Sequence, residues 1–250
     1  MNRDMPATRR QSIDVFRGIA IVVMALYHLL WDLNYEGVIS VGIGIDWQWI
    51  SFQRSIVMGF LLLVGASLWL AHRDGINWRG FWKREALLIA AALGVSVVTW
   101  FQFGEYFAYF GILHAIALFS LMALPFVRAP VWVSGATAAL FLLLPLASSA
   151  LFNPRWLSWI GFFRDVPMTA DLVPVFPWFG VVLLGMIGMR LLHATPLFTW
   201  QSQNPVPRML AFMGRWRARR ITHGAQAEDA SARPPAGARP SSRTPSVRPS

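Results

Sequence analysis

Six long apolar runs constrain the fold of this chain more than any other feature of its sequence. Each is about 20 residues long, which is the length that an α-helix needs to cross a hydrocarbon core of about 30 Å. The chain is 56% hydrophobic and has a mean hydropathy of +0.48, beyond the usual range of soluble domains. We therefore predict an all-α, polytopic transmembrane helical bundle. Its six predicted spans are at about residues 13–33, 48–71, 82–102, 107–127, 131–151 and 174–193.

The charges between the spans predict the orientation of the bundle. Basic residues lie in the N-terminal segment, in the second connection and after the fourth span; they are Arg3, Arg9, Arg10, Arg73, Arg79, Lys83, Arg84 and Arg128. The first and third connections instead carry Glu36, Asp46 and Glu105. Because short cytoplasmic loops are enriched in Lys and Arg, both termini are expected in the cytoplasm. The longest connection, 152–173, contains Trp156 and Trp159 and is predicted to be an external segment in the headgroup region.

The net charge of +10 comes largely from the C-terminal region and does not indicate a nucleic-acid partner. From Asn204 onward there are nine Arg against Glu228 and Asp229, which is 9 − 2 = +7. A basic segment next to a membrane span fits anionic lipid headgroups. Residues 216–250 are rich in Arg, Pro, Ser and Ala, so we predict a disordered cytoplasmic tail after a membrane domain at 1–215. The chain has no cysteine, which excludes disulfides and thiolate metal sites.

The first span carries four ionisable residues on one face. At about 100° per residue, Arg17, His28 and Asp32 lie at roughly 300°, 320° and 0° from Asp14. Ionisable groups inside a span are costly, so they are functional candidates. Asp14 and Arg17 are also spaced to pair with each other or to anchor the helix at the interface.

His28 and Asp32 are one helical turn apart, as suits a general base and the carboxylate that orients it. His114 and Arg54 are expected at similar depth. Other interpretations remain open, since each histidine can serve as an interhelical hydrogen bond and Arg54 can be a counter-ion or an interface residue. His28, Asp32 and His114 could also bind a metal, but no local motif supports this. No metal is expected.

Three blocks of the sequence carry a family resemblance. The first is SIDVFRGIAI at 12–21, with Met24 and YHLLWD at 27–32; the others are FGILHAI at 110–116 and PVFPWFG at 174–180. Over roughly residues 9–215, the chain resembles bacterial relatives of heparan-α-glucosaminide N-acetyltransferase. The resemblance implies a bacterial inner-membrane acyltransferase that moves an acetyl or related acyl group from cytoplasmic acyl-CoA (acetyl-CoA) to a sugar amine or hydroxyl on an envelope glycan.

The resemblance also suggests roles for particular residues. His28 or His114 is expected to be the acyl-transfer base, with Asp32 beside it, acting directly or through an acyl-histidine. Arg17, with its neighbour Asp14, is expected to bind acyl-CoA. Arg73, Arg79 and Arg84 either receive the CoA phosphates or only reflect topology. Arg54 and Trp178, in the third block, are the expected substrate-binding residues.

Two other classes of protein remain in view: a carrier or flippase for a polar lipid-linked substrate, and an inactive truncated relative. Transporters usually contain repeated halves, and the sequence shows no internal repeat. In the family pattern a further apolar span follows 213–215, whereas here WRARR at 216–220 leads into the predicted tail. We hypothesise a frameshift or truncation near residue 215, which translating the other two DNA frames tests. Membrane lipid and a homo-oligomer are the other expected partners.

Overall fold

A computed structural model describes residues 11–193 and shows a helical chain. Its α-helices are α1 (Gln11–Tyr35), α2 (Trp47–His72), α3 (Trp78–Phe103), α4 (Ile112–Ala123), α5 (Val131–Leu143), α6 (Arg155–Ser158) and α7 (Val175–Leu192). Within residues 11–193 the extended backbone pairs only at isolated bridges, such as Phe110 with Leu172. The predicted all-α class is confirmed. The N-terminal arginines Arg3, Arg9 and Arg10, the predicted tail at 216–250 and the hypothesised change near residue 215 lie outside the described residues.

Four helices in the described part of the chain are long and apolar enough to cross a bilayer: α1, α2, α3 and α7. The predicted spans 107–127 and 131–151 are wrong in extent, because their apolar helical segments cover only Ile112–Val127 and Val131–Leu146. In each, the α-helix gives way to a short 3-10 turn that contains a proline, Pro125 or Pro145. Proline removes a backbone donor and clashes with the preceding turn. The predicted count of six membrane-length helices is therefore not confirmed.

Helices α2 and α7 pack closely at the centre of the bundle, and α5 packs against α7. Two glycines allow this approach: a Cβ on Gly65 would clash with the Val182 carbonyl oxygen, and one on Gly185 with the Leu62 carbonyl oxygen. Small residues at such crossings increase the dispersion contacts that hold helices together in lipid. The largest fully buried apolar side chains of the core are Phe119, Phe179, Leu61 and Leu183.

Helices α1 and α3 lie at the edge of the bundle. Many large apolar side chains of α3 are exposed, including Trp82, Leu87, Leu93, Val98 and Phe101. An apolar surface of this extent is unfavourable in water, whereas lipid tails cover it without such a cost. The exposed face of α3 therefore agrees with a helix that borders the bilayer.

The connections group at two ends of the bundle because successive long helices are antiparallel. We call one the capped end, which holds residues 36–46, 104–111 and 144–174. The other is the basic end, which holds residues 73–77 and 124–130 and the first turns of α1 and α3, with Arg73, Arg79, Lys83 and Arg84.

The long connection at the capped end is a fixed part of the fold. The Ala170 and Val173 N–H groups donate to the carbonyls of Tyr106 and Phe110 at 2.7 and 2.9 Å. The Thr169 hydroxyl donates to the Phe107 carbonyl at 2.7 Å. This docking positions the residue between them, Asp171, against the start of α4. The headgroup location predicted for residues 152–173 stays a prediction.

Candidate functional site

His114 lies in the first turn of α4 and is held by a residue of α3. Its Nε2 atom is 3.2 Å from the Ser96 hydroxyl oxygen, and that hydroxyl donates to the Ala108 carbonyl at 2.6 Å. A serine has one hydroxyl proton, so Ser96 accepts from His114 when it donates to Ala108. The hydrogen-bond network therefore assigns the neutral imidazole proton to Nε2. Nδ1 is left with the lone pair that a base or nucleophile needs.

Asp171 caps the helix that carries His114. Its Oδ2 atom accepts a hydrogen bond from the Ile112 N–H at 2.8 Å, which satisfies a donor that the helix itself leaves unpaired. Gly111 is required beside it, because a Cβ there would clash with the Asp171 carboxylate. Burial raises the pKa of Asp171 above its ordinary value, whereas the Ile112 N–H and the neighbouring His28 act to lower it.

His28, on α1, interacts electrostatically with the same carboxylate. The preceding residue, Tyr27, is buried against α2 with its ring centroid 6.0 Å from that of Phe52, while His28 is exposed. Both side chains interact electrostatically with Asp171. Asp171 therefore links the helices that carry the two histidines: its charge interacts with His28, and its carboxylate caps the turn that holds His114.

The structure places the other predicted capped-end residues outside this cluster. Asp32 is exposed at the end of α1, and residues 11–193 provide no hydrogen bond or ion pair between it and His28. Arg54 is exposed on α2. Trp178 packs against the main hydrophobic core. The role of Asp32 as the partner of His28 stays a prediction, and Asp171 is a second carboxylate that interacts with His28. Neither Asp171 nor Ser96 carried a motif or periodic signal that singled it out in the sequence.

Asp14 and Arg17 lie at the basic end and pair with each other. The Arg17 guanidinium donates to Asp14 Oδ1 at 3.1 Å, and Asp14 is buried at 3% exposure. The spacing argument for this pair is confirmed. The predicted role of Asp14 and Arg17 in acyl-CoA binding stays a prediction.

A second polar cluster lies at the basic end. Arg84 donates to the Ser120 hydroxyl at 3.3 Å and lies 4.0 Å from the Glu85 carboxylate. Glu85 is fully buried, and within the described chain its two oxygens and His72 Nδ1 have no hydrogen-bond partner. The sequence offered a signal for Glu85 and His72, because ionisable groups within apolar helices are functional candidates.

An apolar groove of about 490 Å³ runs along α1 between α2 and α7. Small residues widen it, including Ala20, Gly59 and Gly188. The groove extends from Ile13 near the basic end to Val23 and Phe52 toward the capped end. The described residues contain no group of three His, Cys, Asp or Glu side chains arranged to hold a metal ion.

Apolar helices of membrane length, with a polar cluster at one end, define an integral membrane protein with an embedded polar site. Residues 9–219 match the sequence profile of the family described as "Heparan-alpha-glucosaminide N-acetyltransferase, catalytic". The chain belongs to this family of membrane acyltransferases. No curated protein and no solved structure matches the chain.

Proposed function

We propose that this protein transfers an acetyl or similar acyl group from acyl-CoA, bound at the basic end, to a sugar amine or hydroxyl at the capped end. The observation that carries the proposal is that Asp171 caps the helical turn that carries His114, while its charge interacts with His28 on another helix. Two imidazoles from different helices, with a carboxylate that interacts with one of them, are suited to general-base catalysis. Membership of a membrane acyltransferase family supports the same chemistry.

In the proposed reaction the acceptor N–H or O–H loses its proton to a histidine as its N or O attacks the thioester carbon. The new N–C or O–C bond replaces the C–S bond, and the released thiolate takes up the proton to leave as CoA thiol. His114 is suited to the base role because Ser96 fixes its Nε2 proton and leaves Nδ1 unprotonated. His28 is the second candidate, with Asp171 stabilising the imidazolium. Alternatively, one histidine carries the acyl group before the acceptor attacks.

The groove along α1 is the proposed path for the acyl-pantetheine arm of the donor. Its small and apolar lining admits a narrow chain without displacing polar groups. The basic end supplies cations for the CoA phosphates, with Arg17, Arg73, Arg79 and Arg84 as candidates. In this proposal the basic end faces the cytoplasm of a bacterial inner membrane, following the positive-inside rule.

The experiment uses purified full-length protein in lipid nanodiscs with labelled acetyl-CoA and glucosamine or its simple glycosides. We expect His28→Ala and His114→Ala each to lower transfer by about 10²- to 10⁴-fold while acetyl-CoA binding persists. His193→Ala is the matched control, because it removes an imidazole that contacts Trp69 at the basic end. Label retained on the denatured protein without acceptor, and lost in one histidine variant, would indicate an acyl-enzyme.

Unchanged transfer in both histidine variants would remove the site assignment. Absence of transfer to every sugar, together with movement of a lipid-linked substrate across vesicles, would favour the carrier or flippase. If neither transfer nor movement occurs, the chain is an inactive family member.

A further inference from the structure

Three aromatic rings join the ends of α1 and α3 at the capped end. The rings of Trp31 and Tyr35, both on α1, are stacked at 5.3 Å. Each of them lies 5.9 Å from the ring of Phe103, near the end of α3, and meets it edge to face. Ring pairs in these arrangements are favourable beyond the apolar area that they bury, so they hold the two helix ends together. We call Trp31, Tyr35 and Phe103 the aromatic bridge.

Helix geometry places His28 and Ser96 at the same depth below the aromatic bridge. The two bridge residues of α1 follow His28 at i+3 and i+7, so they share its face of the helix. On α3, Phe103 follows Ser96 at i+7. Because α1 and α3 run in the same direction, His28 and Ser96 each lie about 10 Å inside the bundle from the bridge. The face of α1 that carries His28 is thus turned toward α3, whose Ser96 holds His114.

This face of α1 is nevertheless open below the aromatic bridge. His28 is exposed, although the rings one and two turns beyond it contact α3. Ala25, one turn deeper on the same face, is exposed as well. Helices α1 and α3 therefore do not close over His28. We call the space between them below the bridge the lateral opening.

The lateral opening faces the hydrocarbon region of the bilayer. Both of its helices are of membrane length, and they expose apolar side chains at this level, namely Leu26, Leu29, Val97 and Val98. An ionisable side chain at such a depth is costly unless it meets a polar partner. A sugar attached to a hydrocarbon chain can supply that partner from within the membrane, because its chain stays among the lipid tails.

We propose that the acceptor is an amphiphile, a sugar linked to a hydrocarbon chain, which enters sideways from the bilayer through the lateral opening. Its sugar reaches His28 and His114 beneath the aromatic bridge, while its chain remains beside α1 and α3. The inference rests on the proposed function and adds the chemical class and the entry route of the acceptor. The proposed donor groove runs along α1 between α2 and α7, so donor and acceptor approach from different sides of α1.

The first test varies only the hydrocarbon chain of the acceptor. Methyl, octyl and dodecyl glucosaminides are compared as acceptors of labelled acetyl groups, with the full-length protein in lipid nanodiscs. The dodecyl glycoside is expected to exceed the methyl glycoside in kcat/KM by at least about a hundredfold, because the chain concentrates it in the bilayer from which it enters. Equal use of the methyl and dodecyl glycosides overturns the proposal.

A pair of variants separates entry through the opening from simple partition into lipid. Ala25→Phe places a ring in the lateral opening, and it is expected to lower kcat/KM for the dodecyl glycoside by about tenfold or more. Ala139→Phe is the matched control, because Ala139 is an exposed alanine on α5; its rate should equal that of the wild type. Partition depends on the bilayer and is the same for both variants. Equal rates in the two variants refute the entry route.

A binding measurement keeps the entry route distinguishable from the proposed reaction. A dodecyl glucosaminide with a photoreactive diazirine at the end of its chain is irradiated with the protein without acyl-CoA, and the labelled peptides are mapped. Saturable labelling of α1 and α3 that Ala25→Phe loses and Ala139→Phe keeps supports the opening even if no acyl transfer occurs. Saturable labelling elsewhere, or labelling of α1 and α3 that does not saturate, refutes it.

Discussion

The capped end and the basic end both place polar groups between α3 and α4, but they satisfy those groups differently. At the capped end Ser96 pairs with His114, and Asp171 accepts from Ile112. At the basic end Glu85 is fully buried, and its oxygens accept no hydrogen bond from the described residues. A satisfied polar network is rigid, whereas an unsatisfied buried group costs free energy. From this difference we infer that the capped end is organised for chemistry. At the basic end, we infer that an apolar side chain can replace Glu85.

The largest effect on activity is expected from Asp171. Asp171→Asn keeps an oxygen for the Ile112 N–H but removes the charge near His28. We expect kcat to fall by roughly 10²- to 10³-fold, because the imidazolium loses its carboxylate. Asp165→Asn, in the same connection but away from the histidines, is the control. Equal activity of the wild type and Asp171→Asn would exclude a role for the charge.

The same variant makes a prediction about pH and stability. The pKa of Asp171 is raised by burial, so the folded state favours the protonated carboxyl. The stability that this pKa shift contributes is fully present below the ordinary aspartate pKa of about 4. It is lost as the pH rises through the raised pKa of Asp171. Asn cannot ionise. The Tm of Asp171→Asn should equal that of the wild type at low pH and exceed it at higher pH, as measured by tryptophan fluorescence.

Substitutions at two glycines test the proposed donor path along α1 between the two ends. A Cβ on Gly59 or on Gly94 meets no atom within 4 Å, so Leu fits the backbone at both positions. Only Gly59 lines the groove along α1. Gly59→Leu is expected to reduce transfer at least about tenfold by occupying the proposed donor path, whereas Gly94→Leu should retain it. A normal rate in Gly59→Leu would place the donor elsewhere.

Two serines of the α3–α4 interface sharpen the comparison of the ends. Ser96→Ala frees the His114 imidazole to change tautomer, and we expect kcat to fall about tenfold. Ser120→Ala removes only an acceptor for Arg84, which is partly exposed and can be hydrated. Its rate should stay within about twofold. Equal losses in the two variants would show that the ends are not functionally different.

The smallest expected effect on activity comes from Glu85. Glu85→Met replaces a buried unsatisfied carboxylate with an apolar side chain of similar size. The free energy of unfolding should rise by about 1–3 kcal/mol, measured as a higher Tm, with acyl transfer unchanged. Glu105→Met, at an exposed position, should change stability by less than about 0.5 kcal/mol. Lower stability of Glu85→Met would show that the carboxylate contributes favourably.

Labelling can show which end faces the cytoplasm, without altering the site. The chain has no cysteine, so single variants are read directly. In intact cells an impermeant maleimide is expected to label Ser40→Cys at the capped end but not Asp74→Cys at the basic end. Both positions are exposed. The reverse pattern would invert the proposed orientation.

The sequence by itself determined the helical class and located the four helices of membrane length in the described chain, because hydrophobicity and helix length are local properties. It also placed Asp14 beside Arg17, since that spacing follows from helix geometry alone. It overestimated the fourth span at its start, where Phe107 and Phe110 pair with the long connection instead of continuing a helix. It overestimated the fifth span at its end, because apolar composition outweighed the helix-ending effect of Pro145.

Only the tertiary structure decided which groups meet at the capped end. Asp171 and Ile112 are separated by 59 positions, and the docking of an irregular connection brings them together. Backbone hydrogen bonds at Ala170 and Val173 direct that docking, and an irregular segment has no periodicity from which its contacts can be read. Asp32 lies within one turn of His28 in sequence, whereas Asp171, which also interacts with His28, comes from a distant connection. Helix geometry relates neighbours along one chain segment, whereas packing between segments selects the partners of a site.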